Sequence, residues 1–107
     1  MSNTSFDGAI AVVTGGAQGI GRAIAERLCE MQAHVVIADL SKELAETTAS
    51  TLRSNGGKAS SVVLDVRDRD SVAAARQHIE ANIGPAQVLI NNAGIARNSD
   101  AIDTSVE

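Results

Sequence analysis

Residues Thr14 to Gly21 read Thr-Gly-Gly-Ala-Gln-Gly-Ile-Gly and place three spaced glycines between two regular elements. The apolar run from Ala9 to Val13 precedes them and predicts a buried strand, and an amphipathic segment at helical spacing follows them. The start of a helix offers unpaired N–H donors and a partial positive charge, and glycine lets a pyrophosphate approach the backbone closely. We therefore predict that Gly15, Gly19 and Gly21 form a phosphate-binding turn.

Asp39 makes this pattern more specific, because glycine turns before helices also occur for purely geometric reasons. It lies eighteen residues after Gly21, at the end of a second apolar run from His34 to Ala38. In dinucleotide-binding folds, a carboxylate at this position accepts hydrogen bonds from the adenosine ribose. The glycine turn and Asp39 together predict a dinucleotide site.

The rest of the chain alternates between strand and helix patterns. Residues Lys58 to Asp65 predict a third strand, and Val88 to Ile90 predict a fourth strand that is buried. Ser41 is a suitable N-cap for the second helix, and Asp68 or Asp70 for the third. Apolar spacing predicts inward faces formed by Ile20, Ala23, Ile24, Leu28 and Met31 in the first helix, by Leu44, Ala45, Thr48 and Leu52 in the second, and by Val72, Ala75, Ile79 and Ile83 in the third.

This alternation requires a parallel sheet with right-handed crossovers. We predict an α/β fold, a Rossmann-like three-layer sandwich with strand order 3-2-1-4, which is half of a doubly wound fold. The order reverses between strands 1 and 4, and Gly15, Asp39, Asp65 and Asn91 are expected to meet at the carboxyl ends of the strands. We expect residues 1–107 to form one truncated dinucleotide-binding domain, with residues 95–107 as a loop or poorly ordered tail.

Composition excludes several other classes of function. The formal net charge is -4, nine Lys and Arg residues are scattered, and the chain has one aromatic residue, so a nucleic-acid partner is not expected. Apolar runs are too short for a membrane span, and we expect a cytoplasmic protein. One cysteine, Cys29, and two separated histidines, His34 and His78, give no metal-ligand cluster and no assigned chemical role.

Three segments together, Thr14–Gly21, Asp65–Val66 and Asn91-Asn92-Ala93-Gly94, resemble the short-chain dehydrogenase/reductases over nearly the whole chain. The resemblance implies that the glycine turn holds the pyrophosphate of a nicotinamide cofactor, with Ile20 near the cofactor. Asp65 would accept a hydrogen bond from the adenine amino group, although it could instead cap a turn. By the same resemblance, the remaining cofactor-site positions are Val66 beside the adenine, Asn91 tying neighbouring strands together, and Ala93 and Gly94 beneath the ribose next to the nicotinamide.

The expected cofactor is NAD rather than NADP. A carboxylate at Asp39 repels a 2′-phosphate, and the position before Gly19, where phosphate-preferring relatives often carry a basic residue, is the neutral Gln18. Arg22 is the nearest basic residue in sequence, and we expect it to face solvent.

By the same resemblance, the family's catalytic Ser, Tyr and Lys are expected in a second half, beyond the sequence given. The sequence contains no tyrosine, and its lysines are Lys42 and Lys58, so no catalytic residue is predicted. We expect the cofactor-binding half of an NAD-dependent oxidoreductase whose complete form acts on a small-molecule alcohol or carbonyl and forms a homo-oligomer. The alternative is a non-catalytic module that binds a dinucleotide or an adenine nucleotide.

Overall fold

The fold is a four-stranded parallel sheet with three helices, and the computed structural model describes residues 6–92. The strands are β1 (Ile10–Thr14), β2 (His34–Asp39), β3 (Lys58–Val63) and β4 (Val88–Asn91), and the helices are α1 (Gly19–Glu30), α2 (Lys42–Ser54) and α3 (Arg69–Asn82). The strand order is β3-β2-β1-β4, with every neighbouring pair parallel. The predicted fold class and strand order are confirmed.

Each face of the sheet carries its own core, as expected for a sheet covered by helices on both sides. One core joins α1 and α2 to β1, β2 and β3, and the other joins α3 to β1 and β2. Alternate residues of β1 serve the two cores: Val13 lies in the first and Val12 in the second. The first core contains Ala11, Val13, Ala17, Ala25, Leu28, Ala33, Val35, Ile37, Ala45, Ala49, Leu52 and Ala59.

The buried face of α1 matches the prediction at Leu28 and in part at Ile24, and differs nearer the start of the helix. Gly21, Ala25 and Leu28 are buried, whereas Ile20 is 65% exposed and Ala23 is also exposed. Small residues at Gly21 and Ala25 let the helix approach the sheet closely, so the contact follows size rather than hydrophobicity. The helix is therefore rotated relative to its apolar stripe, which leaves Ile20 at the surface beside the glycine turn.

In the other two helices the predicted face is buried or partly buried except for one apolar residue in each. Leu44 and Val72, both in the first turn of their helix, are exposed. Ser41 caps α2 as predicted, and of the two candidate caps for α3 the structure uses Asp68.

The strand predictions were least accurate at the carboxyl end of the sheet. β3 ends at Val63 rather than Asp65, because Asp65 already forms a turn in which its carbonyl accepts from the Asp68 N–H at 3.0 Å. The predicted burial of β4 is wrong: Leu89 is 56% exposed. Leu89 pairs with Val12 and so faces the α3 side of the sheet, where no helix within residues 6–92 covers it.

Candidate functional site

The glycine turn after β1 adopts backbone conformations that favour glycine. Gly15 and Gly19 have φ values of 63° and 59°, in the left-handed region that other residues avoid. Gly21 has a different constraint, since a Cβ there would meet the Gly15 carbonyl oxygen and would lie 2.6 Å from Asn92 Nδ2. The first two glycines shape the turn, and the third allows α1 to pack against it.

Hydrogen bonds from three other elements fix the turn in place. The Gly15 N–H donates to the Ala38 carbonyl on β2 at 2.7 Å, and Thr48 Oγ1 on α2 donates to the Ala17 carbonyl at 3.1 Å. Asn92 Nδ2, directly after β4, donates to the Gly15 carbonyl at 3.3 Å. The turn is therefore held rigidly before any ligand arrives, which lowers the entropic cost of binding.

The start of α1 is left without a protein cap. Gln18 occupies the N-cap position but makes no side-chain capping bond, and the first turn holds no acidic residue. Within residues 6–92 no acceptor takes the N–H groups of Gly19 and Ile20, and both residues are exposed. Two donors at the positive end of a helix dipole thus face the surface, which suits an anion.

Asp39 lies directly beside this turn at the end of β2. Its Oδ2 accepts from the Ala17 N–H at 3.4 Å, and its Oδ1 accepts from the Ser41 N–H at 3.2 Å. These bonds orient the carboxylate between the glycine turn and the start of α2. A group held in this way can accept further hydrogen bonds, such as those of a ribose diol, because a carboxylate has about four acceptor sites.

A cleft of about 200 Å³ opens at the carboxyl edge of the sheet between these elements. It brings together four of the predicted site residues. The other four lining residues, which were not predicted to belong to the site, are three apolar residues and an arginine. The residues that line the cleft are Gly15, Ala38, Asp39, Leu40, Leu64, Asp65, Val66 and Arg67.

Asp65 takes part in a local turn, which was the alternative reading of this residue. Its Oδ1 accepts from the Arg67 N–H at 3.0 Å and from Arg67 Nε at 3.2 Å, and its own N–H donates to Ser71 Oγ at 2.9 Å. The turn contact does not remove the residue from the cleft. Its predicted contact with adenine stays a prediction.

Asn91 joins neighbouring strands through its side chain, as predicted. Its Oδ1 accepts from Thr14 Oγ1 at 3.1 Å, across the β1 and β4 pair. No role was predicted for Asn92, although its side chain donates to the Gly15 carbonyl. Its position one residue beyond a strand end, opposite the glycine turn, was the available signal. Ala93 and Gly94, like residues 95–107, lie outside the described part of the chain.

Arg22 pairs with a carboxylate on its own helix, α1. Its Nε donates to Glu26 Oε2 at 3.3 Å along the exposed side of α1. This pairing agrees with the expectation that Arg22 faces solvent.

Cys29 and His34 lie at the other end of the molecule from the cleft. Burial, followed by the charges of Glu26 and Glu30, raises the pKa of the Cys29 thiol, which disfavours the nucleophilic thiolate. Burial and the neighbouring Lys58 lower the pKa of His34, whose Nε2 lies 2.9 Å from Ser60 Oγ at the amino end of β2.

The described residues contain neither a metal-ligand cluster nor a membrane-spanning helix. No cluster of three or more His, Cys, Asp or Glu side chains suited to a metal ion occurs between residues 6 and 92. Over the same range, no helix has both the length and the apolar character needed to cross a bilayer.

The geometry fits a dinucleotide. The exposed N–H groups at the start of α1 suit a pyrophosphate, the anchored carboxylate of Asp39 suits a ribose, and the cleft beyond it has the apolar walls Leu40 and Val66 for a purine. When bound, such a nicotinamide cofactor would supply the hydride acceptor or donor.

Comparisons with known proteins agree with this geometry. The family model for short chain dehydrogenases matches residues 9–107. A 3-oxoacyl-(acyl-carrier-protein) reductase of Pseudomonas aeruginosa is 42% identical over 95 residues, which cover 89% of this chain and 38% of the relative. A gluconate 5-dehydrogenase of Gluconobacter oxydans is 41% identical over 95 residues, or 89% of this chain and 37% of the relative.

Solved structures give the same result. A Haemophilus influenza protein assigned as a D-mannonate oxidoreductase, with NAD bound, superposes with a TM-score of 0.81 at 27% identity, covering 87% of this chain and 33% of that one. The chain spans a little over a third of the length of the curated relatives named above. From its family match and its fold, this chain belongs to the short-chain dehydrogenase family.

Proposed function

We propose that this chain is the cofactor-binding half of an NAD-dependent oxidoreductase. In the complete protein, a hydride passes between the nicotinamide and a small-molecule alcohol or carbonyl substrate. The observation that carries the proposal is that Gly15 of the glycine turn, Asp39 and Asp65 line one cleft, and that the start of α1 after this turn is uncapped. The relatives named as reductases and dehydrogenases support the reaction class.

In this proposal the dinucleotide lies across the carboxyl edge of the sheet. The N–H groups of Gly19 and Ile20 bind the pyrophosphate, Asp39 binds the adenosine ribose, and Asp65 with the Val66 backbone binds the adenine. Asn91 holds β1 and β4 at the spacing that the cofactor requires, and Ala93 and Gly94 complete the site beneath the second ribose.

The choice of NAD over NADP rests on charge. The Asp39 carboxylate would repel a 2′-phosphate. Arg22 on α1 and Arg67 in the cleft are each paired with another carboxylate, Arg22 with Glu26 and Arg67 with Asp65. Gln18, at the N-cap of α1, is neutral. The NAD bound to the Haemophilus influenza protein supports the same choice.

We expect the residues that transfer the proton to be other than those named for this site. The family's hydride transfer uses a tyrosine phenol as acid or base, and this sequence has no tyrosine. The 107-residue chain alone is therefore expected to bind cofactor without turning over substrate. The cytoplasmic location stays a prediction.

A titration of the purified chain with NADH and with NADPH, followed by calorimetry, tests the proposal. Saturable NADH binding with weaker NADPH binding is expected. A chain that is folded by circular dichroism and releases no heat with either cofactor would contradict it.

The second candidate is a non-catalytic module that binds a dinucleotide or an adenine nucleotide. It is favoured by the cleft, whose walls all come from residues 15–67 of this chain. If the longest natural protein that contains this sequence reduces carbonyl substrates with NADH, the non-catalytic candidate is excluded. If the chain binds AMP as tightly as NADH, that candidate is supported.

Self-association is proposed from the β4 edge. This strand pairs with β1 on one side, its other side meets no strand within residues 6–92, and Leu89 is 56% exposed. Open edges with apolar side chains pair readily with other chains. Light scattering should find dimers or larger species, whereas a clean monomer at high concentration would contradict this expectation.

A further inference from the structure

Arg67 makes a two-point contact with the carboxylate of Asp65. Asp65 Oδ1 accepts from the Arg67 backbone N–H at 3.0 Å and from the Arg67 Nε at 3.2 Å. A single bond would let the carboxylate rotate about its side-chain torsions. Two bonds from different parts of one residue fix the direction in which the carboxylate points.

This pair lies inside the proposed cofactor cleft. Arg67 and Asp65 both line it, together with Asp39 at the end of the neighbouring strand β2. Arg67 is thus the positive group among the charged side chains that line the cleft, and it is paired with the carboxylate nearer the adenine position rather than with the ribose carboxylate.

The carboxylate keeps the capacity to bind a ligand. A carboxylate has about four acceptor sites on two oxygens, and both contacts from Arg67 fall on one oxygen, Oδ1. An exocyclic amino group is a pure donor, so an oriented carboxylate accepts from it and repels the carbonyl oxygen that replaces it in hypoxanthine.

We propose that Arg67 is a positioning residue that orients Asp65 to select adenine by its 6-amino group. The inference rests on the proposed function, since it assigns a further residue to the same cofactor site. Arg67 acts through Asp65 and does not itself need to touch the cofactor.

The proposal differs from simple attraction of the cofactor phosphates by a positive charge. Loss of a general attraction weakens every anionic dinucleotide by the same factor. Loss of an oriented acceptor weakens only ligands that carry the amino group.

The test compares NADH with reduced nicotinamide hypoxanthine dinucleotide, in which a carbonyl oxygen replaces the adenine amino group. Calorimetry measures the dissociation constants of both ligands for the wild-type chain, Arg67→Gln and Asp65→Asn. Arg27→Gln is the matched control, because Arg27 forms a similarly exposed ion pair, with Glu30, in the last turn of α1.

The wild type should prefer NADH by about tenfold, as expected for a hydrogen bond to a charged acceptor. Arg67→Gln should lower this preference about threefold, the range of an exposed ion pair. Asp65→Asn should lower it further, and Arg27→Gln should leave it unchanged.

An unchanged preference in Arg67→Gln would overturn the inference, and so would equal weakening of both ligands. Equal binding of the two ligands by the wild type would also overturn it while leaving the proposed function intact. A wild-type chain that is folded but binds neither ligand would overturn both.

Discussion

The starts of α2 and α3 are capped by a side chain, whereas the start of α1, which is the proposed binding site, is not. In α2, Ser41 Oγ accepts from the Leu44 N–H at 3.1 Å, and in α3, Asp68 Oδ1 accepts from the Asp70 N–H at 2.9 Å. The start of α1 has no such cap, although Gln18 has the extended backbone of an N-cap residue.

An uncapped helix start costs stability, since a good N-cap contributes about 1 kcal/mol. At α1 the missing cap coincides with a turn that four hydrogen bonds hold rigid. The chain thus fixes the backbone of the turn while leaving its outward donors available. We interpret this combination as a site built for a ligand that completes the helix.

The largest effect is expected from Gly19→Val, which should remove dinucleotide binding. A Cβ at this position meets nothing within 4 Å, so the side chain would extend into the space proposed for the pyrophosphate. The positive φ also makes a branched residue unfavourable by about 1–2 kcal/mol. NADH calorimetry and thermal unfolding measure the two effects separately.

Gly56→Val is the matched control, because Gly56 has a φ of 94° and open space around it at the end of α2. It should lose similar stability and keep the NADH affinity of the wild type. Normal NADH binding by a folded Gly19→Val chain would refute the proposed phosphate contact.

Asp39→Ala should weaken NADH binding by about 1–3 kcal/mol, because the ribose loses a charged hydrogen-bond acceptor. NADPH binding should weaken less or improve, since the repulsion of its 2′-phosphate is relieved. Because Asp39 also accepts from the backbone of Ala17 and Ser41, Asp39→Asn serves as the variant that removes the charge and retains an acceptor. Equal losses for both cofactors in both variants would indicate a structural role only.

Gln18→Asp should give α1 a side-chain cap of the kind that α2 and α3 already have. The free energy of unfolding should rise by about 0.5–1 kcal/mol, since Asp is among the best N-cap residues. NADH affinity should fall, because the new carboxylate competes for the same N–H groups and repels the pyrophosphate. A variant that gains stability with unchanged NADH affinity would separate the helix start from the binding site.

The smallest effect concerns His34, at the amino end of β2. Burial, followed by the Lys58 charge, lowers its pKa from the ordinary 6.5, so the unfolded chain binds this proton more readily than the folded chain. Stability is therefore fully present above pH 6.5 and falls as the pH drops through that value toward the lower folded pKa. His34→Gln should show a shallower decline in urea midpoint between pH 7 and pH 5, with NADH affinity at pH 7 unchanged. The same slope in both proteins would contradict this assignment.

The sequence predicts the sheet well because its strands follow simple rules. Continuous apolar runs in β1 and β2 and the regular alternation with helices determine the strand order, and Asp39 falls at a strand end whichever boundary is chosen. The glycine turn is also readable, since positive φ at Gly15 and Gly19 restricts the residue type.

Features that depend on packing between distant segments could not be predicted from the sequence. The rotation of α1 follows from contact of Gly21 with the Gly15 carbonyl and Asn92, which no periodicity in the helix encodes. The pairing of Arg67 with Asp65 depends on the end of β3, two residues before the predicted one. The exposure of Leu89 depends on how far α3 extends over the sheet.

The most direct test of the central claim is an NMR titration of the 15N-labelled chain with NADH. We predict large shift changes at the amides of Gly19 and Ile20, whose N–H groups gain an acceptor, and small changes at Leu44 and Asp70, whose N–H groups are already capped. Saturable NADH binding that leaves the Gly19 and Ile20 amides unperturbed would contradict the claim that the open start of α1 is the dinucleotide site.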